Sequence, residues 1–511
     1  MKILLTTLNS KYVHSNPALK YLYQSVLDSG VEAGPEVALQ EFTINNETDY
    51  IYGEILRGDY DLICFSTYIW NVEQICRLGA DLKKAEPSVQ ILLGGPEVSY
   101  ETVSLMRENP WIDFVLRGEG EGSFTALYKA MAEKGRAWDP SEISGLSYRR
   151  SDGEVLENPE GMPLDMREIP FPYRSLPVEA DKVVYYETAR GCPYRCSYCL
   201  SSLEKTIRPL PLERVMNEFD FFLEKRVKQV KLIDRTFNYD RQRAREIWQY
   251  LIDRDNGVTN FHFEICAELL DEETLNLLAK ARQGLFQFEI GIQSTNPQTL
   301  AAVDRSSGTD RVLANIRSLI ALGNSHIHVD LIAGLPFEDY GTFAKSFNDV
   351  YALSADDLQL GFLKLLKGTK VRRTAEEHGY VYRSCAAYEV ISNRYISAKE
   401  LSRLKMIEKV LNLYKGRGGF DRTVNYLIQN ISDSPFDFYE KLSVYFYENG
   451  YQHRSHKKED LYRILYGFVK KTESQFPGIG REAEKLLETD LNAAMNFDAV
   501  KKFHKKGWDI K

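Results

Sequence analysis

Cys192, Cys196 and Cys199 fall inside eight residues of the stretch Glu187-Thr-Ala-Arg-Gly-Cys-Pro-Tyr-Arg-Cys-Ser-Tyr-Cys199. Their spacing is C-x3-C-x2-C, with Tyr198 immediately before the third cysteine. Three thiolates on one loop can hold three irons of a 4Fe–4S cluster, whose usual complement is four cysteines. The fourth iron is then open to a small-molecule ligand. A structural zinc instead wants four ligands, commonly in two pairs. No second pair and no histidine stands near this loop. Cys64, Cys76, Cys266 and Cys385 are scattered along the chain and read as buried small apolar residues.

The elements that must carry this loop follow from the alternation around it. Strand-like stretches lie at 183–188, 229–233, 260–267, 286–292, 326–331 and 358–366. Helix-like stretches at 212–225, 241–253, 272–281, 311–322 and 340–352 separate them. That is six β/α units across 183–371, enough for an open or partial barrel. In such barrels the chemistry sits on the loops after the strands. The cysteines lie after the first strand.

Segment 1–134 alternates too, with strands at 2–7, 37–43, 60–68, 89–93 and 114–116 and helices at 17–27, 72–83 and 123–132. Strands separated by helices imply a parallel, doubly wound, Rossmann-like sheet. Such sheets bind ligands at the carboxyl ends of their strands. Those ends carry Asn9, Ser10, Ser66, Thr67, Gly94-Gly95-Pro96-Glu97 and Arg117-Gly118-Glu119-Gly120-Glu121. Paired glycines let a backbone approach a ligand closely, and they also make plain tight turns. No G-x-G-x-x-G follows the first strand, so the dinucleotide fingerprint is absent.

Segment 135–182 reads as a linker. It holds a small hairpin, 143–148 and 154–157 around Ser151-Asp-Gly153, and then Pro163, Pro170 and Pro172, which favour an extended connector. Segment 372–511 reads as helical. Ser397-Ala-Lys-Glu400 is a capping box. Leu401, Leu404, Ile407, Leu411 and Tyr414 form a helical stripe that Gly416-Arg-Gly-Gly419 stops. Further helices are expected at 436–450, 458–471 and 481–496. The run Tyr445-Phe-Tyr447 reads as core, and the basic end Lys501-Lys-Phe-His-Lys-Lys506 as a solvated tail.

A length of 511 residues sets an expectation of about three domains. The net charge of −8 argues against a dominant duplex-binding surface. Polar Thr6, Thr7, Asn9 and Lys11 end the first apolar run, which is no signal peptide. No run of about 18 apolar residues is present, so no membrane span is expected. Clustered thiols and an odd cysteine count fit a reducing, cytoplasmic setting better than disulfides.

The cysteine motif, with its aromatic before the third cysteine, resembles the signature of radical SAM enzymes. Leu232-Ile-Asp-Arg-Thr-Phe-Asn238 and Phe288-Glu-Ile-Gly-Ile-Gln-Ser294 are similar to that family's cobalamin-associated branch. The loops Leu92-Leu-Gly-Gly-Pro-Glu97 and Leu116-Arg-Gly-Glu-Gly-Glu121 resemble the cobalamin domain found ahead of many such cores. Gly361-Phe-Leu-Lys-Leu-Leu-Lys-Gly-Thr369 resembles the lead-in to an uncharacterised helical domain that follows some of them.

The resemblance implies a 4Fe–4S cluster on Cys192, Cys196 and Cys199, with S-adenosyl-L-methionine (SAM) on the open iron. Reduction then splits SAM to methionine and a 5′-deoxyadenosyl radical. It implies cobalamin contacts at Ser66, Thr67, Gly94, Gly95, Gly118 and Glu119. Asp234 would lie near the SAM amino end, and Gly334 in an adenine-side turn, or else in a simple tight turn. Glu289 and Gln293 have even spacing and should share the barrel's inner face. Glu289 either serves the cofactor there or pairs with a buried Arg or Lys. Arg195, between two cysteines, reads as an exposed loop cation.

Mutase-type cobalamin domains place a histidine in an Asp-x-His-x-x-Gly loop after the first strand. This chain has Asn9-Ser-Lys-Tyr-Val-His-Ser-Asn16 there, and His14 reads as a loop residue. The leading function is therefore a cobalamin-dependent radical SAM enzyme that methylates an unactivated carbon of an unidentified substrate. An electron donor such as flavodoxin or ferredoxin would serve it. One alternative is rearrangement or cyclisation with the same cofactors, and another is a non-enzymatic iron–sulfur or cobalamin sensor. The helical domain is expected to cap the barrel mouth.

Overall fold

The first segment's strands are apolar on both sides because helices cover both faces of their sheet. In the computed structural model, which describes residues 1–204, 206–305 and 308–508, this segment runs β1 (Lys2–Asn9), α1 (Pro17–Leu27), β2 (Glu36–Thr43), α2 (Thr48–Arg57), β3 (Leu62–Ser66), α3 (Val72–Ala85), β4 (Gln90–Gly94), α4 (Thr102–Glu108), β5 (Phe114–Leu116) and α5 (Gly120–Lys134). The five strands are parallel in the order β2-β1-β3-β4-β5. Successive side chains enter opposite cores. Leu4, Ile63 and Ile91 pack on one face, and Leu5, Leu62 and Leu92 on the other. Helices α2 and α4 went unread in the sequence because each is short and buries only two residues, Ile51 and Ile55 in α2, Thr102 and Met106 in α4.

The expected hairpin is present as β6 (Leu146–Arg149) and β7 (Val155–Glu157). It is not free in a connector, because β6 pairs antiparallel with β5 and extends the first sheet to seven strands.

The central segment runs β8 (Val184–Tyr186), β9 (Ala189–Arg190), β10 (Arg208–Pro209), α6 (Leu212–Glu224), β11 (Gln229–Leu232), α7 (Arg241–Asp253), β12 (Asn260–Glu264), α8 (Glu272–Leu278), β13 (Phe286–Gln293), α9 (Pro297–Ala302), α10 (Thr309–Ala321), β14 (His326–Ala333), α11 (Tyr340–Tyr351), β15 (Asp357–Phe362) and α12 (Lys370–Arg373). Strands β8, β11, β12, β13, β14 and β15 form one parallel sheet in chain order. On β13, Phe286, Phe288, Ile290 and Ile292 are buried, while Gln287, Glu289, Gly291 and Gln293 take the other face. That alternation gives the partial barrel a polar inner wall.

Six strands leave two edges to be covered. At the first edge the loop after β1 reaches across. Val183 N–H donates to Val13 O at 2.9 Å, and the Tyr185 hydroxyl lies 2.6 Å from His14 Nδ1. The last edge is covered by the C-terminal segment.

That segment runs β16 (Val381–Tyr382), β17 (Val390–Ser392), α13 (Ala398–Leu411), α14 (Asp421–Ile431), α15 (Pro435–Glu448), α16 (Lys458–Glu473), α17 (Ile479–Ala494) and α18 (Phe497–Lys506). The capping box starts α13: Glu400 N–H donates to Ser397 Oγ, and Glu400 Oε2 accepts from Ser397 N–H. The helix ends in a π-turn, Asn412–Gly416. It runs back along β15, with Lys405 Nζ over the Phe362 ring and Lys415 Nζ on Ala355 O. Strands β16 and β17 correct the all-helical expectation, as two and three residues are too short to show a period. The basic end is helix α18 with Phe503 buried, not a loose tail. Among the described residues, no helix is long and apolar enough to cross a membrane.

Candidate active site

The cysteine loop leaves the barrel after β8 and is pinched off by β9 and β10, where Arg190 faces Arg208 in an antiparallel pair. Gly191 sits in this neck with φ +95°, and a Cβ there would meet Thr206 O at 2.1 Å. Only glycine fits. Cys196 is buried, while Cys192 and Cys199 are partly open. Cys192 Sγ lies 3.5 Å from Thr236 Oγ1, and Arg305 Nη1 lies 3.6 Å from Cys196 Sγ. Three cysteine thiolates on one loop could hold three irons of a 4Fe–4S cluster.

Arg305 was not singled out in the sequence, where it is a lone cation in a turn. It also bonds the Gly291 carbonyl at the end of β13, so it ties the barrel to the cysteine loop. Arg195 is exposed, as expected. Of the four scattered cysteines only Cys64 is buried as expected, and Cys76 in α3 is partly open. Cys385 is exposed in a turn after β16, and Cys266 is partly open just after β12, where it accepts the Tyr194 hydroxyl at 3.1 Å.

A cavity of ≈ 1030 Å³ lies between the first sheet and this loop. Ser66, Gly94, Gly95, Gly118 and Glu119 line one side, and Arg190, Gly191, Leu200 and Ser201 line the other. Its size stands at the top of the range for small-molecule pockets, which suits a large cofactor. Gly95 has φ +106°, and a Cβ there would lie 2.6 Å from Thr67 O. Thr67 itself does not face the cavity. It is fully buried, and its N–H donates to Gly94 O at 2.7 Å, so it props the glycine turn from behind. His14 points to Tyr185 on the barrel and is not in the cavity wall.

Glu119 faces the cavity but is already engaged. It pairs with Arg208, accepts Leu164 N–H at 3.1 Å, and lies 3.5 Å from Arg190. Arg190 also holds Glu121 at 2.5 Å and Glu187 at 2.7 Å. Burial pushes the Glu187 carboxyl up against the pull of Arg190. Burial acts on Glu121 too, but Arg190 outweighs it and holds that carboxyl below the usual range. The arginine before the first cysteine thus binds the cysteine loop to the first domain. Sequence reading missed it because its partners Glu119 and Glu121 lie far back in the chain.

Asp234, expected near the SAM amine, is buried, and both oxygens accept from Thr188: the N–H at 2.7 Å and the hydroxyl at 2.6 Å. It fixes the exit of β8 and so positions the cysteine loop. Burial raises its pKa from 3.8 to about 7. The fold then holds a proton that the unfolded chain has released between those values. This stabilisation is complete below pH about 4 and is lost as pH rises through about 7. Asp234→Asn removes the titration; its Oδ1 can still accept the Thr188 N–H, and its amide NH2 would donate to the Thr188 hydroxyl, as the protonated acid would. Its stability relative to the wild type should therefore rise by roughly 3–4 kcal/mol between pH 4 and 7, measured by urea unfolding. A difference flat across that window would refute the assignment.

Glu289 and Gln293 do share the inner face of β13. Glu289 is paired inside the barrel, with Lys231 Nζ at 2.8 Å and His262 Nε2 at 3.1 Å. Burial alone would raise its pKa, but His262 and Lys231 hold it at about 2. Of its two readings, the ion pair is the one the geometry favours. Gln293 closes the strand at φ +71°, after a bulge, and its Oε1 is buried without a hydrogen-bond partner. Gly334 turns at φ +90°, but its carbonyl is taken by the Tyr380 hydroxyl and the Asn393 amide. That leaves a tight turn locked by the C-terminal segment.

Comparison with known proteins divides the chain the same way. Residues 3–128 match the B12 binding domain, 186–350 the Radical SAM superfamily, and 376–509 a protein family of unknown function, DUF4080. An uncharacterized methyltransferase of Pyrococcus horikoshii is 28% identical over 57% of this chain and 63% of its own length. The cobalamin-dependent radical SAM methyltransferase TokK of Streptomyces tokunonensis is 26% identical over 57% of this chain and 44% of its own. The chain thus spans about half to two thirds of the curated relatives it matches. The solved structure of the cobalamin-dependent S-adenosylmethionine radical enzyme OxsB, with aqua-cobalamin and S-adenosylmethionine bound, superposes with a TM-score of 0.66. The superposition covers 99% of this chain and 83% of that one at 16% identity, and the likeness is one of fold.

Proposed function

We propose that this chain, a radical SAM protein carrying a B12 binding domain ahead of its barrel, is a cobalamin-dependent methyltransferase acting on an unactivated carbon. One observation carries the reading: a single cavity is walled by the strand ends of the B12 binding domain and by the cysteine loop. Two cofactors held on those two walls would face each other across one space.

Cys192, Cys196 and Cys199 would hold the cluster. Gly94, Gly95, Gly118 and Ser66 would line the corrin side, and no protein ligand to cobalt is assigned. When bound, cluster and SAM supply a substrate-activating radical, and cobalamin supplies the methyl group. The chain's own work is placement. Thr67 props the glycine turn, Asp234 sets the loop exit, and Arg190 joins the walls. The Arg305 guanidinium beside Cys196 offsets negative charge on the thiolates and on any carboxylate bound near them.

Anaerobic reconstitution with iron, sulfide, cobalamin, SAM and a reductant tests this. 5′-Deoxyadenosine together with S-adenosylhomocysteine is the expected result. 5′-Deoxyadenosine alone would point to rearrangement or cyclisation. Neither product from a protein with an intact cluster would remove the enzymatic reading.

A further inference from the structure

A second cavity, ≈ 550 Å³, opens at the β15 edge of the barrel. One wall is the inner face of the last two strands, where register sets His328 beside Asp357 and Ile332 beside Gly361. The opposite wall belongs to the C-terminal domain: Glu408, Asn412 and Gly416, from α13 and its π-turn. Tyr198 closes the end nearest the cysteines, and its hydroxyl is buried without a hydrogen-bond partner. A molecule filling this space would touch the cysteine loop and the helical domain together. Its volume suits a small metabolite.

The wall chemistry is one-sided. Asp357, Glu389 and Glu408 come from three separate stretches, against Lys364 and the imidazole of His328, which Asp330 engages at 3.0 Å. Asp357 is engaged by His326 at 2.8 Å and Glu389 by Lys405. Glu408 accepts only the Asn412 amide, at 2.5 Å, and makes no ion pair among the described residues. Lys405 and Lys409 act on Glu408 only from beyond ion-pair distance, and burial outweighs them and pushes its pKa up. A ligand ammonium would supply the missing partner.

We propose that this side cavity, which meets the cysteine loop at Tyr198, holds the amine end of the substrate, whose ammonium donates to Glu408 while its reacting carbon reaches past Tyr198 toward the first cavity, and that the C-terminal domain thereby selects a small amine-bearing molecule. The proposal rests on reading the barrel as the SAM-cleaving core and names the substrate class of that core. Acceptance of an ammonium by a carboxylate with little water around it is a strong, charge-assisted contact.

The test is calorimetric titration of phenethylamine, 2-phenylethanol and 3-phenylpropionate into the full chain without cofactors. Phenethylamine should bind at least ~10-fold more tightly than 2-phenylethanol, with 3-phenylpropionate weakest. Glu408→Gln keeps the Asn412 contact and should erase the preference for the amine. Ser402→Ala, on the exposed face of α13, should preserve it. Urea unfolding of both variants checks that they are folded. Equal binding of the three probes, no saturable binding of phenethylamine, or an amine preference that survives Glu408→Gln would each overturn the proposal. Failure of the SAM-cleaving reading would show instead as missing 5′-deoxyadenosine, which these titrations do not measure.

Discussion

Cys196→Ala should leave a folded protein that cannot hold the cluster and makes 5′-deoxyadenosine only at background. The reasoning starts from the loop. Cys196 is the buried member of the three, its neighbour Ser197 donates its N–H to Val303 O at 3.0 Å, and Arg305 Nη1 approaches its sulfur at 3.6 Å. The Ser197 backbone bond fixes this part of the loop without using the sulfur, and Arg305 keeps its bond to the Gly291 carbonyl, so alanine should cost little in folding. Two remaining thiolates are too few for a cubane that ordinarily needs three or four. Iron in the reconstituted protein should fall from ~4 atoms per chain to near zero, and the broad visible absorption should vanish with it.

The informative control is Cys266→Ala. Cys266 is near the loop through Tyr194 but is not part of the C-x3-C-x2-C set. Full iron loading in Cys266→Ala and none in Cys196→Ala is the expected pair. A Cys196→Ala protein with a full cluster, or a Cys266→Ala protein without one, would show that the ligand set is wrong.

What the sequence made legible follows from the range of the interactions. The cysteine motif is complete within one loop, and the strand periods are complete within single elements, so both can be read without knowing the fold. The loops that line the large cavity were legible because strand ends are the binding edge of any doubly wound sheet. Side-chain direction at those ends was not legible. Ser66 lines the cavity while its neighbour Thr67 turns inward to support Gly94. Asp234 follows β11 as expected, but its carboxylate is spent on Thr188, a partner at the exit of β8 that no local pattern announces. The same holds for Glu289, whose partners Lys231 and His262 come from two other strands. The hairpin was visible as a hairpin, yet its pairing with β5 depends on an edge that exists only once the sheet is formed.

Arg190→Ala should be the most destabilising single change in this neighbourhood, because it strands two buried carboxylates at once. Arg190 is the cation for Glu121 at 2.5 Å and Glu187 at 2.7 Å, and all three side chains are more than four-fifths buried. Removing one partner of a buried pair costs about 3–5 kcal/mol, since the remaining charge keeps its desolvation penalty. Urea unfolding at neutral pH should show a loss of that size.

The loss should shrink on acidification. Burial already pushes the Glu187 carboxyl up, and without the guanidinium both acids can shed their charge by binding protons. Arg190→Lys should recover only part of the stability, since one ammonium cannot meet two carboxylates with the paired geometry of a guanidinium. The effect should also reach the cofactor. Glu119 and Glu121 follow Gly118 at the start of α5 in the cavity wall, and Arg190 is their tether to the cysteine side. Weaker retention of cobalamin by Arg190→Lys, with the iron content unchanged, would place the arginine at the joint between the two walls. Wild-type cobalamin retention in that variant would reduce it to a stabilising ion pair and leave the shared cavity without its clasp.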